Sequence, residues 1–233
     1  MLRSPTDQQR VIVLGRTGSG KTQFALNLLS TRDLEKMPWV IIDYKGDETI
    51  DAVVRQNKLK EIKPDQKPPS KPGLYIMHPR PHLDDEDLEN WLMQVWACED
   101  IGLFIDEGYA LPQKNAFDMI LTQGRSKHIP VIALYQRPVY MSRFAIAQAD
   151  YFAAFDQNDE RDLKTTRTFI KDYVAPNGTK LNVYDELPPY HCFWYDVSQG
   201  RTDVLKPVPG RNTILAQFRE ALGTIKQNRS IFA

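Results

Sequence analysis

The chain has 233 residues, of which 42% are hydrophobic, and its 30 basic side chains balance its 30 acidic ones. This length and composition suit one α/β domain with a buried core, and the zero net charge excludes a generally basic nucleic-acid-binding surface. Cys98 and Cys192 are far apart and have no His or Cys neighbours at metal-ligand spacing, so neither a zinc site nor a disulfide framework is predicted. No apolar run has the length of a membrane span, which predicts a cytoplasmic protein without stable membrane insertion.

The first predicted element is a strand over Val11 to Leu14, and the eight residues after it are GRTGSGKT. They fit the phosphate-loop pattern of a glycine, four free positions and Gly-Lys-Thr, and a predicted helix over Gln23 to Leu29 follows. Glycines let backbone N–H groups curl around phosphate oxygens, and the helix directs its positive dipole end toward them. The predicted nucleotide site consists of Gly15, Arg16, Thr17, Gly18, Ser19, Gly20, Lys21 and Thr22.

Two side chains of this loop have separate predicted tasks. Lys21 is expected to reach the β and γ phosphates of the nucleotide, and the hydroxyl of Thr22 is expected to bind Mg²⁺. The predicted cofactors are therefore ATP and Mg²⁺, because phosphoryl transfer from a nucleotide depends on both the lysine and the metal charge.

Downstream, short apolar strands alternate with helices, which predicts an α/β fold with a mostly parallel central sheet flanked by helices. The further predicted strands are Trp39 to Asp43, Leu74 to Met77, Ile101 to Ile105, Pro130 to Leu134 and Tyr151 to Phe155. The predicted helices are Thr49 to Lys58, Asp84 to Ala97, Asn115 to Arg125 and Glu160 to Lys171. Polar residues follow several strands, at the sheet edge where ligands bind in open parallel sheets.

A proline-rich loop, Glu61 to Gly73, interrupts this alternation. Its four prolines exclude a helix or an inner strand. Lys63, Lys67 and Lys71 of this loop are expected to be exposed.

The strand that begins at Ile101 ends in two adjacent carboxylates. Asp106 is predicted to hold Mg²⁺ and Glu107 to polarise the attacking water, because phosphoryl transfer needs metal charge and an aligned nucleophile. The pair would lie beside the phosphate loop if the two strands were neighbours. A strand ending in Asp-Glu is often only a helix cap, but together with Lys21 the pair favours hydrolysis over mere nucleotide binding.

Two further polar residues have alternative explanations. Gln136 follows the strand Pro130 to Leu134, where its amide either contacts the γ phosphate or only satisfies the strand end. Arg125 closes a predicted helix, where it either offsets the helix dipole or acts as an arginine finger in the site of a neighbouring subunit. Composition does not choose between these roles.

The pattern changes near the carboxyl terminus. Leu181 to Tyr184, Tyr190 to Val197 and Thr202 to Leu205 predict antiparallel strands at the edge of the sheet, and Arg211 to Ile225 predicts a closing helix. We predict a single domain over residues 1–233, with a core of about 8–175 and a β extension and closing helix of about 180–228.

The order of GRTGSGKT, WVIIDYKGDE, GLFIDE and TQGRSKHIPVIALYQRP resembles the FtsK/HerA family of ring-forming P-loop ATPases, which pump double-stranded DNA. The resemblance covers about Val11 to Arg167 and implies a RecA-like fold. It implies that Gln136 senses the γ phosphate and that Arg125 acts across the subunit boundary. Arg161, in NDERDL, resembles another family arginine near that boundary. Tyr44 departs from the family, because a proline is usual at its position.

A bare motor core with a short β extension is most similar to the genome-packaging ATPases of tectivirus-type, membrane-containing phages. That resemblance implies sequence-independent binding of double-stranded DNA and a homo-oligomeric ring, either a hexamer or a pentamer. Lys63, Lys67 and Lys71 are candidates for contacts with DNA phosphates, and solvated surface lysines are the favoured alternative. It also implies docking on capsid portal or vertex proteins. The implied location is the host cytoplasm, the packaging vertex of the virion, or both.

Other functions use the same phosphate loop. An assembly ATPase resembling the zonula-occludens-toxin-like proteins of filamentous phages is one alternative, although those proteins carry a membrane segment. A small-molecule P-loop kinase is another, although a kinase normally has an arginine-rich lid and places its acidic residues differently. A nucleotide-switched scaffold without hydrolysis would leave Glu107 without a task.

Overall fold

The computed structural model describes residues 5–112 and 114–231, and one mixed sheet runs through this part of the chain. Its strands are β1 (Arg10–Leu14), β2 (Pro38–Asp43), β3 (Lys60–Glu61), β4 (Gly73–Met77), β5 (Gly102–Asp106), β6 (Val131–Tyr135), β7 (Tyr151–Ala154), β8 (Tyr173–Val174), β9 (Lys180–Leu181), β10 (Cys192–Asp196) and β11 (Arg201–Leu205). In space their order is β3-β4-β2-β5-β6-β1-β7-β10-β11-β8-β9.

The strand before the phosphate loop, β1, lies inside the parallel part of the sheet, between β6 and β7. All five of its residues are buried. Val11 and Val13 pack into one core cluster, whereas Ile12 and Leu14 pack into the other. Burial on both faces explains why the strand is an uninterrupted apolar run instead of an alternating one.

The strand that carries the acidic pair, β5, is not a direct neighbour of β1. It pairs with β2 on one side and with β6 on the other, so β6 separates the two strands. The adjacency on which the sequence expectation depended is therefore wrong. Because all these strands are parallel, the ends of β1, β6 and β5 still meet at one edge, with Gln136 between the phosphate loop and the acidic pair.

Helices cover both faces of the sheet. They are α1 (Lys21–Ser30), α2 (Glu48–Asn57), α3 (Asp85–Cys98), α4 (Ala116–Gln123), α5 (Arg143–Gln148), α6 (Glu160–Arg167) and α7 (Arg211–Ile231). The helices α1, α2 and α7 bury their apolar side chains on the face of Val11, and α3, α4 and α5 bury theirs on the face of Ile12. The closing helix α7 does this through Ile214, Phe218 and Leu222, which recur every fourth residue along one helix face.

The carboxyl-terminal extension is antiparallel, as predicted. Strand β10 pairs antiparallel with β7 and with β11, which continues the sheet beyond its parallel part. The prediction of an α/β fold with a mostly parallel sheet and a short antiparallel extension is confirmed. In the described part of the chain, no helix has the length and apolar character that crossing a membrane requires.

Some predicted boundaries are wrong, each for a local reason. The strand expected over Leu181 to Tyr184 stops at Leu181, because the backbone N–H of Asn182 donates to Asp185 Oδ2 at 2.7 Å and turns the chain. Helix α4 ends at Gln123, so Arg125 lies beyond the helix, in the following turn. The short helix α5 was not predicted, and it begins where Ser142 Oγ accepts the backbone N–H of Ala145 at 3.0 Å.

Candidate functional site

The phosphate loop depends on glycine at both of its ends. Gly15 has a φ of 147°, and a Cβ there would lie 2.7 Å from the Cβ of Phe155. Gly20 has a φ of 101° at the start of α1. A side chain at either position would be strained, because both lie in the conformational region that L residues rarely adopt. The GRTGSGKT pattern thus specifies a backbone path as well as a set of side chains.

Backbone hydrogen bonds attach this loop to the strands on both sides of it. The N–H of Gly15 donates to the carbonyl of Tyr135 at 3.2 Å, and the N–H of Arg16 donates to the carbonyl of Asp156 at 2.9 Å. Tyr135 is the last residue of β6, and Asp156 follows β7. The loop is therefore held in place by the sheet before any nucleotide arrives, which reduces the ordering cost of binding.

Lys21 is buried at the centre of the loop. Its Nζ donates to the carbonyl of Arg16 at 3.0 Å. Burial lowers the pKa of Lys21 to about 8, while the charges of Glu107 and Asp106 act in the opposite direction. A buried ammonium group that is only partly compensated by the protein is a suitable partner for phosphate oxygens.

A cleft of about 310 Å³ at the carboxyl edge of the sheet brings together eight of the predicted site residues. Besides Thr17, Gly18 and Gly20 of the phosphate loop, it is lined by Lys21, Thr22, Asp106, Glu107 and Gln136. Phosphate-binding, metal-binding and water-orienting side chains therefore share one space. This is the juxtaposition that hydrolysis of a nucleotide requires.

Asp106 lies in this cleft with a surplus of negative charge around it. It is buried, and burial raises its pKa to about 7, with further contributions from the charges of Glu107 and Asp43. A divalent cation would relieve this repulsion, and carboxylate and hydroxyl oxygens are the ligands that Mg²⁺ prefers. The residues present therefore fit the predicted Mg²⁺ site formed by Asp106 and Thr22.

The described residues do not form a complete metal cage here. Among residues 5–112 and 114–231, no group of three or more His, Cys, Asp or Glu side chains is placed to hold a metal ion. In nucleotide enzymes, Mg²⁺ usually takes most of its ligands from water and nucleotide phosphates.

Glu107 has an unusual backbone conformation and an almost fully buried carboxylate. Its φ is 67°, in the left-handed region. Its Oε1 accepts a hydrogen bond from Nζ of Lys45, and its Oε2 is buried without a hydrogen-bond partner in the described structure. An uncompensated buried acceptor in a cleft indicates a functional group instead of a structural one.

A second pocket of about 360 Å³ lies on the other side of the phosphate loop. Its walls include Arg16, Phe155, Gln157 and the segment from Val183 to His191. Tyr190 lines both this pocket and the phosphate cleft, and its Cδ1 comes within 3.1 Å of the position that a Cβ on Gly20 would take. The pocket is therefore continuous with the place where the phosphates would lie.

Arg125 lies far from this cleft within its own subunit. Its guanidinium pairs with Oδ1 of Asp150, while Nε of Arg10 lies 3.1 Å from Oδ2 of the same carboxylate. Arg10 begins β1 and Asp150 precedes β7, so the cluster is at the amino edge of the sheet. The structure does not bring Arg125 together with Lys21 and Glu107.

The remaining candidates are exposed. Arg161 lies in the first turn of α6, which follows the strand end next to the phosphate loop, and its side chain faces solvent. Lys63, Lys67 and Lys71 are also exposed, in the loop between β3 and β4 at the outer edge of the sheet. None of these four side chains lines the phosphate cleft.

The sequence reasoning missed two residues of the site. Lys45 follows the second strand, in WVIIDYKGDE, and its contact with Glu107 requires β2 and β5 to be adjacent. Tyr190 had been assigned to a strand, and it lies before β10 in the wall of the second pocket. A lysine two residues beyond a strand end was the available signal for the first, and the sequence contained none for the second.

Comparison with known proteins places the chain among viral packaging enzymes. It is 40% identical over 219 residues to DNA packaging ATPase P9 of Enterobacteria phage PRD1, a match that covers 93% of this chain and 95% of the relative. No family model matches the chain.

Solved structures show the same fold at low sequence identity. The genome packaging NTPase B204 from Sulfolobus turreted icosahedral virus 2, solved with ATP-gammaS, aligns at a TM-score of 0.61 and 21% identity, covering 88% of this chain and all of that one. EssC (ATPases 2 and 3) from Geobacillus thermodenitrificans aligns at 0.59 and 12% identity, covering 97% of this chain and 45% of that one. The predicted similarity to the packaging ATPases of tectivirus-type phages is confirmed, and the chain belongs to the family of phage packaging ATPases represented by P9 of PRD1.

Proposed function

We propose that this protein is an ATP-driven translocase of double-stranded DNA that packages a viral genome into a preformed capsid. The observation that carries the proposal is the phosphate cleft, in which Lys21 and Thr22 face Asp106, Glu107 and Gln136. The relative in phage PRD1, which shares 40% of its residues with this chain, is named a DNA packaging ATPase.

The residues of the cleft divide the work of hydrolysis. The loop N–H groups and Lys21 would bind the β and γ phosphates, and Thr22 and Asp106 would hold Mg²⁺. When bound, the metal ion supplies positive charge to the phosphate oxygens. Glu107 accepts a hydrogen bond from the attacking water and orients it, and Gln136 contacts the γ phosphate and reports its presence to β6.

The second pocket takes the nucleoside of ATP in this proposal. It adjoins the phosphate loop, and Tyr190 offers an aromatic ring where the phosphate cleft and the pocket meet. A flat heteroaromatic base gains stacking energy from such a ring. The buried Nε2 of Gln157, which has no partner in the described structure, is a free donor at the wall of the same pocket.

Within one subunit Arg125 does not contact the phosphate cleft, but in a ring it could act in the cleft of a neighbouring subunit. Its side chain is 59% exposed, and its own phosphate cleft is at the opposite edge of the sheet. We infer that the ring, either a hexamer or a pentamer, brings Arg125 to a neighbour's γ phosphate, with Arg161 as the other candidate. DNA passes through the ring by contacts to its phosphates, at a capsid portal or vertex in the host cytoplasm.

The two alternative functions are not favoured. The zonula-occludens-toxin-like assembly ATPases and the small-molecule kinases share the phosphate loop, but the relative that matches nearly the whole chain is a packaging ATPase.

Steady-state hydrolysis with and without duplex DNA tests the proposal. Duplexes of unrelated sequence should raise ATP turnover to the same extent, and the stimulation should fade as salt rises, because phosphate contacts release counterions. Lys21→Ala serves as the inactive control. Turnover that ignores DNA at every salt concentration would argue for a nucleotide enzyme that does not move DNA.

A further inference from the structure

The contact between Lys45 and Glu107 follows from the pairing of two strands. β2 and β5 are parallel neighbours, and their last residues, Asp43 and Asp106, are register partners. The residues just beyond the two strand ends therefore emerge side by side at the edge of the phosphate cleft. Nζ of Lys45 donates to Oε1 of Glu107, and both side chains line the cleft.

The backbone that carries Lys45 is held at both ends. Oδ1 of Asp43 accepts the N–H groups of Lys45 and Gly46, each at 3.0 Å. Two residues later, Oδ1 of Asp47 accepts the N–H of Thr49 at 2.8 Å and caps α2. The backbone of the short connection between β2 and α2 is thus fixed, which places the base of the Lys45 side chain at the edge of the cleft.

The two partners differ in their freedom to move. The Glu107 side chain is 4% exposed, whereas the Lys45 side chain is 41% exposed. The Lys45 ammonium group at the mouth of the cleft can turn outward into water, whereas the Glu107 carboxylate is enclosed by the protein. Any opening of the pair therefore occurs through Lys45.

The pair also engages one of the two Glu107 oxygens that could orient the attacking water. A carboxylate orients that water by accepting a hydrogen bond and then a proton from it, so one of its oxygens must be open to the water. In the single subunit Oε1 of Glu107 is engaged by an ammonium group, and Oε2 is buried away from solvent without a partner in the described structure, so neither oxygen is open. The arrangement is suited to keeping the carboxylate away from water until the lysine leaves.

We propose that Lys45 is a positioning residue that latches Glu107 in the unassembled, DNA-free subunit, and that its outward movement releases the carboxylate for hydrolysis. The latch rests on the proposed ATPase function of the cleft. It links the rate of hydrolysis to events at the exposed side of Lys45, where an anion such as a DNA phosphate competes with Glu107 for the ammonium group.

The test is the turnover of Lys45→Met in saturating ATP without DNA. Methionine keeps much of the aliphatic length and removes the charge, and Lys45→Gln provides a second variant should the first fold poorly. We expect DNA-free kcat to rise about tenfold, with KM for ATP and affinity for ADP little changed, and stimulation by DNA to shrink accordingly. Lys45→Arg should restore the low DNA-free rate, and Lys206→Met, which removes an exposed lysine outside the cleft, should resemble the parent.

A double variant shows whether the added turnover depends on the released carboxylate. Lys45→Met combined with Glu107→Gln should be inactive. A fall in kcat, or a loss of affinity for ATP but not for ADP, would instead make Lys45 a ligand of the γ phosphate and overturn the latch. Unchanged kinetics would leave the pair purely structural and overturn it as well. These outcomes are separate from failure of the proposed function, in which the parent protein itself would lack turnover or a response to DNA.

Discussion

Buried charged side chains are paired at the amino edge of the sheet and incompletely compensated at the carboxyl edge. At the amino edge, Arg10 and Asp150 are 4% and 8% exposed and pair with each other, and Arg125 covers the second carboxylate oxygen. At the carboxyl edge, burial lowers the pKa of Lys21 and raises that of Asp106, and neither group is fully compensated.

This difference distinguishes charged groups that stabilise the fold from charged groups that bind a ligand. A buried ion pair with satisfied hydrogen bonds is costly to break but offers nothing to a substrate. Buried groups in a cleft whose pKa values are shifted are incompletely paired within the protein. They can gain favourable interactions from a bound phosphate or metal ion. We therefore assign a structural role to the charged groups of the amino edge and a catalytic role to those of the carboxyl edge.

The largest expected effect comes from removing the cation of the carboxyl edge. Lys21→Ala should lower ATP turnover by a factor of roughly 10³ or more, because the charge is used on phosphate. The folded state should persist, since the lysine's buried charge is not needed by the core. Turnover and thermal unfolding of this variant, measured beside Lys206→Ala as the matched control, check this. Undiminished turnover in a folded Lys21→Ala protein would show that the phosphate cleft is not the site of ATP hydrolysis.

Arg125 tests the contrast between the two edges most severely. It belongs to the paired amino edge and is also proposed to act in the phosphate cleft of a neighbouring subunit. If it acts in trans, Arg125→Ala should bind ATP about as well as the parent and lose a factor of roughly 10³ in turnover. If it only completes the ion pair with Asp150, its loss should cost less than about 1 kcal/mol of stability, since the guanidinium is largely exposed.

A mixing experiment distinguishes these roles of Arg125. Glu107→Gln subunits have an inactive site and an intact Arg125, whereas Arg125→Ala subunits have an intact site and no finger to lend. Mixed rings should recover some turnover where one of each kind meets in the right order. Near-normal turnover of Arg125→Ala alone would exclude it as the finger and leave Arg161 as the remaining candidate.

Asp150 tests the structural half of the comparison. Asp150→Asn leaves the buried guanidinium of Arg10 without its countercharge, which should cost about 3 kcal/mol and lower Tm by about 6–12 °C. Affinity for ATP should change little, because the pair is at the opposite edge from the cleft. Asp203→Asn, in the more exposed pair with Arg201, is the matched control and should cost less than about 1 kcal/mol. Equal losses in the two variants would mean that the amino edge is not specially stabilised.

The smallest expected effect is a gain of stability at the carboxyl edge. Because the folded protein raises the pKa of Asp106 to about 7, its charged form opposes folding above that pH, and this penalty is lost as pH falls toward the unfolded value of about 4. Asp106→Asn should therefore stabilise the protein by about 2 kcal/mol at pH 8 without Mg²⁺, and hardly at all near pH 4. Denaturant unfolding at the two pH values measures the difference. A variant that is less stable than the parent at pH 8 would contradict the assignment of Asp106 to the ligand-dependent edge.

Much of the site was predictable because its signals are local. The glycines of the phosphate loop, the lysine after them and two carboxylates at the end of an apolar strand lie within short stretches whose backbone path the residues themselves impose. The buried strands were recognisable for the same reason, since two-faced burial leaves an uninterrupted apolar run in Val11 to Leu14.

What the sequence could not supply depends on long-range pairing. Nothing local indicates that β6 lies between β1 and β5, and the contact of Lys45 with Glu107 exists only because β2 and β5 are neighbours. Two parts of the segment before β10 are predicted as strand from their sequence, Leu181 to Tyr184 and the residues from Tyr190 onward. The turn after Leu181 and the prolines Pro188 and Pro189 keep most of these residues out of the sheet. Its role as a pocket wall became visible only in the folded chain.

The central claim is that a buried carboxylate at the carboxyl edge, Glu107, performs hydrolysis. The most direct measurement is ATP binding and ATP turnover of Glu107→Gln in the same preparation, because glutamine keeps the volume and loses the negative charge. The account predicts that ATP binds at least as tightly as to the parent, while turnover falls by a factor of roughly 10³ or more, with and without DNA. Turnover within a few-fold of the parent in a fully folded variant would contradict it.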